Sequence, residues 1–254
     1  MKTIKIRNVE FGAGVSKIAV PIVGEMQEDI VKKGTELRDG PGDLVEWRAD
    51  YYKDVTDPEA LLDTAKKLRE ALGEMPILFT IRTKHEGGLV DIDDATYAAL
   101  NKAAAESGCV DLLDVEIFRD EEETRRQIAE LKKNVTVLGS YHDFSATPPQ
   151  SEIVAILTKA KDLGADISKI AVMPQTDADV VALLAGSVEM REKNPDQLLL
   201  TISMGARGML TRIGCGTSGS CITFGAVGQG SAPGQIQAQD LKRTLDLLQT
   251  VQGG

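Results

Sequence analysis

Eight short runs rich in branched apolar residues alternate with longer segments of helical period, and this rhythm restricts the fold more than any other feature. The strand-like runs are Lys17–Val23, Asp43–Ala49, Pro76–Arg82, Val110–Ile117, Val135–Tyr141, Ile167–Met173, Gln197–Ser203 and Cys221–Ala226. The helix-like segments are Met26–Leu37, Pro58–Leu72, Asp93–Ser107, Asp120–Lys132, Ser151–Leu163, Asp177–Lys193, a short stretch near Gly205–Thr211, and a last one over Gln235–Val251. Thr56-Asp57-Pro58 and Thr147-Pro148 read as helix starts, Gly73 and Gly164 as stops. Strand–helix alternation implies parallel strands with helices covering the sheet. Eight such units in 254 residues predict an α/β protein of the (β/α)8 TIM-barrel type, with a doubly wound open sheet as the alternative. No linker or repeat divides the chain, so residues 1–254 are expected to form one domain. Residues 1–16 fit neither repeat. Thr3–Val9 reads as a strand before the turn signal Gly12-Ala13-Gly14, and together they suggest an N-terminal β-hairpin closing one end of the barrel.

Charged residues occupy places in these runs where a core would need apolar ones. In Leu44-Val45-Glu46-Trp47-Arg48-Ala49-Asp50 one face carries Leu44, Glu46, Arg48 and Asp50, and the other Val45, Trp47 and Ala49. Buried ions are costly unless paired, so three on one face either form a site or belong to a solvated antiparallel strand. Arg82 ends the third run, Asp114 and Glu116 share a face in the fourth, and His142 follows the fifth. In a barrel the C-terminal strand ends converge on one mouth, where active sites sit. Lys169 lies in mid-strand. It either snorkels to a strand end or is an amine in an apolar, cation-rich site, with a lowered pKa and able to form a Schiff base. His142 is a candidate acid or base. His85 reads as a solvated loop residue, and Glu86 beside it could orient a base.

The remaining composition narrows the function classes. A formal charge of −10 lacks the basic footprint of general nucleic-acid binding, yet leaves room for an anionic small substrate held by a few inward arginines. Cys109, Cys215 and Cys221 form no C-x-x-C pair, which fits small buried residues in a reducing compartment. The N-terminus lacks the apolar stretch of a signal peptide, and no run approaches a membrane span, so a cytoplasmic protein without membrane or nucleic-acid partners is expected. Neither histidine has metal-ligand spacing, so no metal is expected. The Gly-rich segment 214–220 reads as a tight loop, with phosphate binding as an option. Gly228–Gln235 suits a mobile loop closing over a ligand.

Six motifs in combination resemble the type I 3-dehydroquinate dehydratases. They are E-x-R-x-D at Glu46–Asp50, F-T-x-R at Phe79–Arg82 with E-G-G at Glu86–Gly88, D-x-E at Asp114–Glu116, S-x-H-D-F at Ser140–Phe144, K-x-A-x-M-P at Lys169–Pro174 and S-A-P-G-Q-I at Ser231–Ile236. The resemblance implies a homodimeric barrel that dehydrates 3-dehydroquinate to 3-dehydroshikimate through a lysine Schiff base, in the shikimate pathway, without metal or cofactor. By matching motif, Lys169 resembles the Schiff-base lysine, His142 the general acid and base, and Glu86 its carboxylate partner. Arg212 resembles the carboxylate clamp, with Ser231 and Gln235 on the loop that closes beside it. Glu46, Arg48 and Arg82 resemble the groups holding the ring hydroxyls, Met204 and Phe224 apolar walls, and Asp114 a polar residue near the lysine. Segment 213–220 is more Gly-rich than the resemblance leads one to expect, and Gly228-Gln229-Gly230 stands where more basic residues are common. Two other readings compete. One is a class I aldolase with phosphate near Gly214–Ser220, and the other a non-catalytic carboxylate binder that would need no reactive lysine.

Overall fold

The structure is a computed structural model, and it describes residues 2–228 and 234–252. Among the described residues, nine parallel strands form one curled sheet in the order β11–β10–β3–β4–β5–β6–β7–β8–β9. In chain order these are β3 (Lys17–Ile22), β4 (Leu44–Arg48), β5 (Ile77–Thr80), β6 (Leu112–Glu116), β7 (Thr136–Asp143), β8 (Ile167–Val172), β9 (Leu198–Ser203), β10 (Ile222–Ala226) and β11 (Ile236–Gln237). The helices α1 (Gln27–Leu37), α2 (Pro58–Leu72), α3 (Asp94–Glu106), α4 (Glu121–Leu131), α5 (Gln150–Asp162) and α6 (Asp177–Lys193) follow successive strands from β3 to β8. Two short helices, α7 (Met209–Ile213) and α8 (Cys215–Ser218), separate β9 from β10, and α9 (Ala238–Gln252) ends the described chain. No described helix is long and apolar enough to cross a membrane.

Local chemistry explains why the helix limits match the sequence reading closely. Asp57 caps α2 by accepting from the Glu59 and Ala60 amides, with Pro58 in the first turn. Thr176 and Asp179 form a reciprocal capping box on α6. Gly73, at φ +58°, leaves α2 in a conformation that side chains disfavour.

The sheet differs from the simplest expectation at its seam. Between β9 and β10 the described residues share one isolated parallel bridge, Leu199 to Ser220, with the Cys221 amide donating to the Leu199 carbonyl at 2.8 Å. Farther along β10, on its edge away from β3, β11 pairs with Gly225 and Ala226. The last helix accordingly begins at Ala238 instead of Gln235, because Ile236 and Gln237 spend their backbone groups on that pairing. Segment 214–220 is likewise not a simple loop, since Cys215–Ser218 makes one helical turn.

The N-terminal hairpin is present with a different turn. β1 (Ile4–Ile6) and β2 (Val9–Phe11) pair antiparallel, with Ile6 opposite Val9, so the reversal falls at Arg7-Asn8 and not at Gly12–Gly14. Arg7 takes φ +52°, uncommon for a residue with a side chain. Its guanidinium is held by Asp111 at 2.6 Å and Glu74 at 3.2 Å, long-range partners that local sequence does not reveal.

Side-chain alternation divides the core into two layers. Outward residues such as Val45, Trp47, Phe79, Val115 and Ile170 pack beneath the helices. Inward residues near the strand starts (Leu44, Leu78, Leu112, Ile167, Leu198 and Ile222) form a second apolar cluster with Ile6 and Phe11 of the hairpin. Only the far, C-terminal portion of the interior is left for polar chemistry.

Candidate active site

On five consecutive strands the inward positions beyond the apolar layer turn polar. β4 contributes Glu46 and Arg48, β5 and its exit Thr80 and Arg82, β6 Asp114 and Glu116, β7 Ser140 and His142, and β8 Lys169. The period of two that buries Leu44, Leu78, Leu112, Leu138 and Ile167 carries these side chains to the same side of the sheet.

Arg82 organises the cluster. Nη2 donates to Asp114 Oδ1 at 2.6 Å, and Nη1 faces Glu86 Oε2 at 3.1 Å, Glu116 Oε1 at 3.1 Å and Ser140 Oγ at 3.2 Å. Burial opposes the charge on Arg82, but Asp114, Glu116 and Glu86 overcome it and hold its pKa well above the usual value. Asp114 also accepts from Ser140 Oγ at 2.6 Å and from Lys169 Nζ at 2.7 Å. Burial alone would raise the Asp114 carboxyl; Arg82, Lys169 and His142 reverse this and leave it far below the ordinary carboxylate range.

Lys169 is buried, with Glu46 Oε1 at 3.8 Å and the Phe224 ring centroid 5.6 Å from Nζ. Its surroundings correct the picture of an apolar, cation-rich pocket, since Asp114 pairs with the amine directly. A strand position that far from the sheet's end also leaves the side chain facing the interior and not snorkelling to bulk water.

Glu86 sits on the 3₁₀ turn Lys84–Glu86, whose amide donates to the Thr83 carbonyl at 3.1 Å. Gly88 follows where an added Cβ would lie 1.9 Å from the Arg82 carbonyl, so only glycine permits this tight return. His85 points out to solvent, while Glu86 turns in and meets His142 Nδ1 at 2.8 Å. Burial and the neighbouring Glu116 and Asp114 push the Glu86 carboxyl up to about 8, against the pull of Arg82. His142 is pushed well below its ordinary value, first by burial and then by the Arg82 and Lys169 charges, so its imidazole is neutral at pH 7.

A cavity lies above these groups and encloses about 530 Å³, its open mouth included. Glu46, Arg48, Arg82, His142, Lys169, Met204, Arg212, Phe224 and Gln235 all line it. Arg48 is held in a two-bond fork by Asp50, both at 2.7 Å. Arg212 comes from α7, and burial lowers its pKa to about 10, which leaves it a cation at pH 7.

Glu86 and Asp114 stand behind the wall and contact His142 and Lys169. Ser231 lies outside the described residues. The sequence reading missed Thr80, Phe144, Ala171 and Ile202 in the lining. Thr80, which donates to Glu46 Oε1 at 3.0 Å, could have been found from its place two residues before Arg82 on the same face. The Gly-rich segment 214–220 lies elsewhere. Ser16 Oγ donates to the Ser220 carbonyl at 2.6 Å, and Cys215 and Gly216 face Gly14–Ser16 at the strand-start end. A phosphate held there would not reach Lys169, which removes the structural basis of the aldolase alternative. Among the described residues no group of three or more His, Cys, Asp or Glu could hold a metal ion.

A curled parallel sheet with a buried lysine, a histidine–carboxylate pair and three arginines around one cavity defines an α/β protein equipped for acid–base and amine chemistry on a small polar molecule. The family model described as Type I 3-dehydroquinase matches residues 18–252, and the chain belongs to that family. It is 42% identical over 249 residues to 3-dehydroquinate dehydratase of Salmonella paratyphi B, covering 98% of this chain and 99% of that one. Among solved structures it resembles a type I 3-dehydroquinate dehydratase from Clostridium difficile with covalently modified comenic acid. The TM-score is 0.95 and the identity 40%, over 99% of this chain and 100% of that one. It also resembles 3-dehydroquinate dehydratase from Geobacillus kaustophilus, with TM-score 0.94 and 37% identity, over 98% of this chain and 97% of that one.

Proposed function

We propose that this chain dehydrates 3-dehydroquinate to 3-dehydroshikimate through a Schiff base on Lys169, as a step of the shikimate pathway. The observation that carries the reading is the position of Lys169 Nζ, buried at the cavity wall between Asp114 and Phe224, with the neutral His142 imidazole lining the same cavity.

In this mechanism the Lys169 amine attacks the C3 ketone, and His142 moves protons as the carbinolamine forms and loses water. The iminium withdraws electrons and acidifies the C2 hydrogen. His142 removes that proton, Asp114 balances the cationic nitrogen, and the enamine expels the C1 hydroxyl as water with the proton His142 returns. Water then hydrolyses the conjugated iminium, releasing the enone and restoring the amine. Arg212 clamps the substrate carboxylate, with Gln235 on the same cavity wall. Arg48, Arg82 and Glu46 hold the ring hydroxyls, and Met204 and Phe224 supply apolar walls. Glu86 orients His142 and exchanges its proton. We assign residues 1–254 to one domain, a (β/α)8 barrel completed across the β9–β10 seam, working as a cytoplasmic homodimer without a cofactor.

The test is incubation with 3-dehydroquinate while conjugated enone absorbance is followed, then borohydride and mass analysis. A ligand-sized mass fixed on Lys169 is expected. Turnover with no adduct under borohydride would remove the Schiff-base step, and absence of enone would remove the substrate assignment.

A further inference from the structure

Glu116 is buried at the end of β6, lines none of the cavity, and carries no role in the reaction described above. Its two oxygens nevertheless take four donors. Oε1 accepts from Arg82 Nη1 at 3.1 Å and from the Thr83 amide at 2.8 Å. Oε2 accepts from Thr83 Oγ1 at 2.7 Å and from Arg119 Nη1 at 3.2 Å. Thr83 begins the turn that carries Glu86, and its carbonyl in turn accepts from the Glu86 and Gly88 amides. One carboxylate therefore grips both the guanidinium that touches Glu86 and the backbone that places it.

We propose that Glu116 is a positioning residue for the His142–Glu86 pair: it fixes the Thr83 turn and divides the Arg82 charge, keeping a proton on Glu86 for the hydrogen bond to His142. The inference rests on that pair doing the acid–base work of the proposed reaction.

The geometry of sharing is direct. Arg82 Nη1 lies 3.1 Å from Glu86 and 3.1 Å from Glu116, so one N–H group serves two competing carboxylates. The charged groups facing Glu86 are Arg82 and Lys169, which favour its ionised form, and Glu116 and Asp114, which oppose it. Those facing His142 are Arg82, Lys169 and Arg48, which keep it neutral, and Asp114, which opposes them. With Glu116 charged, Glu86 stays protonated at pH 7 and donates to Nδ1, so the ring proton sits on Nε2. Without the Glu116 charge, Arg82 Nη1 loses the carboxylate that competes with Glu86 for it, while Nη2 stays on Asp114. Glu86 then ionises and accepts from Nδ1–H, and Nε2 loses its proton. Glu116 thereby selects which tautomer His142 holds at rest.

Arg119 supplies an internal control. It donates to Glu116 Oε2, whereas Glu86 Oε2 is engaged by Arg82 and His142. Its Nε is on Asp94 Oδ1 at 2.6 Å and its guanidinium lies over the Tyr97 ring at 4.5 Å. Losing Arg119 leaves Glu116 charged and more dependent on Arg82, which protects the Glu86 proton further.

The experiment is ¹⁵N NMR of the histidine ring nitrogens in the resting full-length protein, with His85 assigned from a His85→Asn variant. In the unsubstituted protein at pH 7, His142 should show a protonated Nε2. Glu116→Gln should move the proton to Nδ1, shift the Glu86 ionisation midpoint down by about one pH unit or more, and lower kcat about tenfold with KM changed less than about threefold. Arg119→Gln should move that midpoint upward and leave Nε2 protonated. A folded Glu116→Gln protein with unchanged ring-nitrogen shifts would overturn the proposal. Should Glu116→Gln fail to fold, a downward or absent shift in Arg119→Gln would overturn it equally. These spectra are read without substrate, so failure of the dehydration reaction itself would show separately, as an unsubstituted protein that makes no enone.

Discussion

The interior of the sheet has two halves that differ in chemistry. From β4 to β8 its outer layer is an ion lattice of Glu46, Arg48, Arg82, Asp114, Glu116, His142 and Lys169. Across β9, β10 and β3 the inward residues are Leu200, Ile202 and Met204, then Ile222 and Phe224, then Ala19. Lys169 stands on the boundary, with Asp114 at 2.7 Å on one side and the Phe224 ring at 5.6 Å on the other. The contrast teaches that a buried charge survives by company. Arg82 has three carboxylates around it, and they reinforce its charge against burial. An amine at the boundary can draw on both halves, with a counter-charge for its cationic forms and an apolar wall that keeps water back.

The strongest way to break this comparison is to remove the boundary residue. Lys169→Ala should abolish borohydride trapping and cut turnover by on the order of 10⁴-fold or more, since the covalent route is lost entirely. Enone formation near the unsubstituted rate would sink the boundary argument. His142→Ala comes next, with a loss of about 10²–10⁴-fold. The amine remains, so a substrate adduct should persist in intact-mass spectra without borohydride; rapid turnover would make His142 structural only.

Arg82→Met asks whether the lattice half is held by its central cation. It leaves Asp114, Glu86 and Glu116 buried together and should cost about 3–5 kcal/mol in urea unfolding at pH 7. An unchanged midpoint would show that the carboxylates do not depend on it.

Glu86 sharpens the comparison through pH. Its folded value of about 8 lies above an unfolded carboxyl value of about 4.3, so the fold favours the protonated form. That contribution is fully present below about pH 4.3 and is lost as pH rises through about 8. Glu86→Gln, neutral throughout, should flatten the decline in unfolding free energy between pH 5 and 9; parallel curves for the two proteins would contradict it. The smallest effect belongs to the apolar half, where Ile202→Val should cost about 0.5–1.5 kcal/mol at every pH. A strong pH dependence of that cost would mean the halves are not separate.

Much of the fold was legible because its signals are local. Pro58 after Asp57, Thr176 before Asp179 and the period of two in each run report on neighbours in the chain. The limits of α2 and α6 agree with the reading to the residue. The hairpin turn was misplaced because Arg7 is held at positive φ by Asp111 and Glu74, distant residues with no sequence signature. The β11 pairing was missed because a two-residue strand inside a helical pattern gains its bonds only from β10. In the site, polar residues on a strand's inner face could be read as unusual, and nine of the twelve proposed side chains line one cavity. Their grouping behind the wall could not. Asp114 was expected near the lysine, but its direct pairing with Nζ behind the cavity wall was not readable, and Glu116 carried a charge without an evident partner until Thr83 and Arg119 closed around it.

The sequence by itself determined the alternation of elements, the face on which each charged residue stands, and family membership, because each is encoded in spacing along one dimension. Tertiary structure alone decided that Asp114 pairs with Lys169 across 55 positions, that Arg82 is shared among three carboxylates, and that Glu86 turns in while His85 turns out. It also decided the protonation levels. Burial and the summed field of distant charges set these, and both exist only after strands far apart in the chain have been brought within a few ångströms.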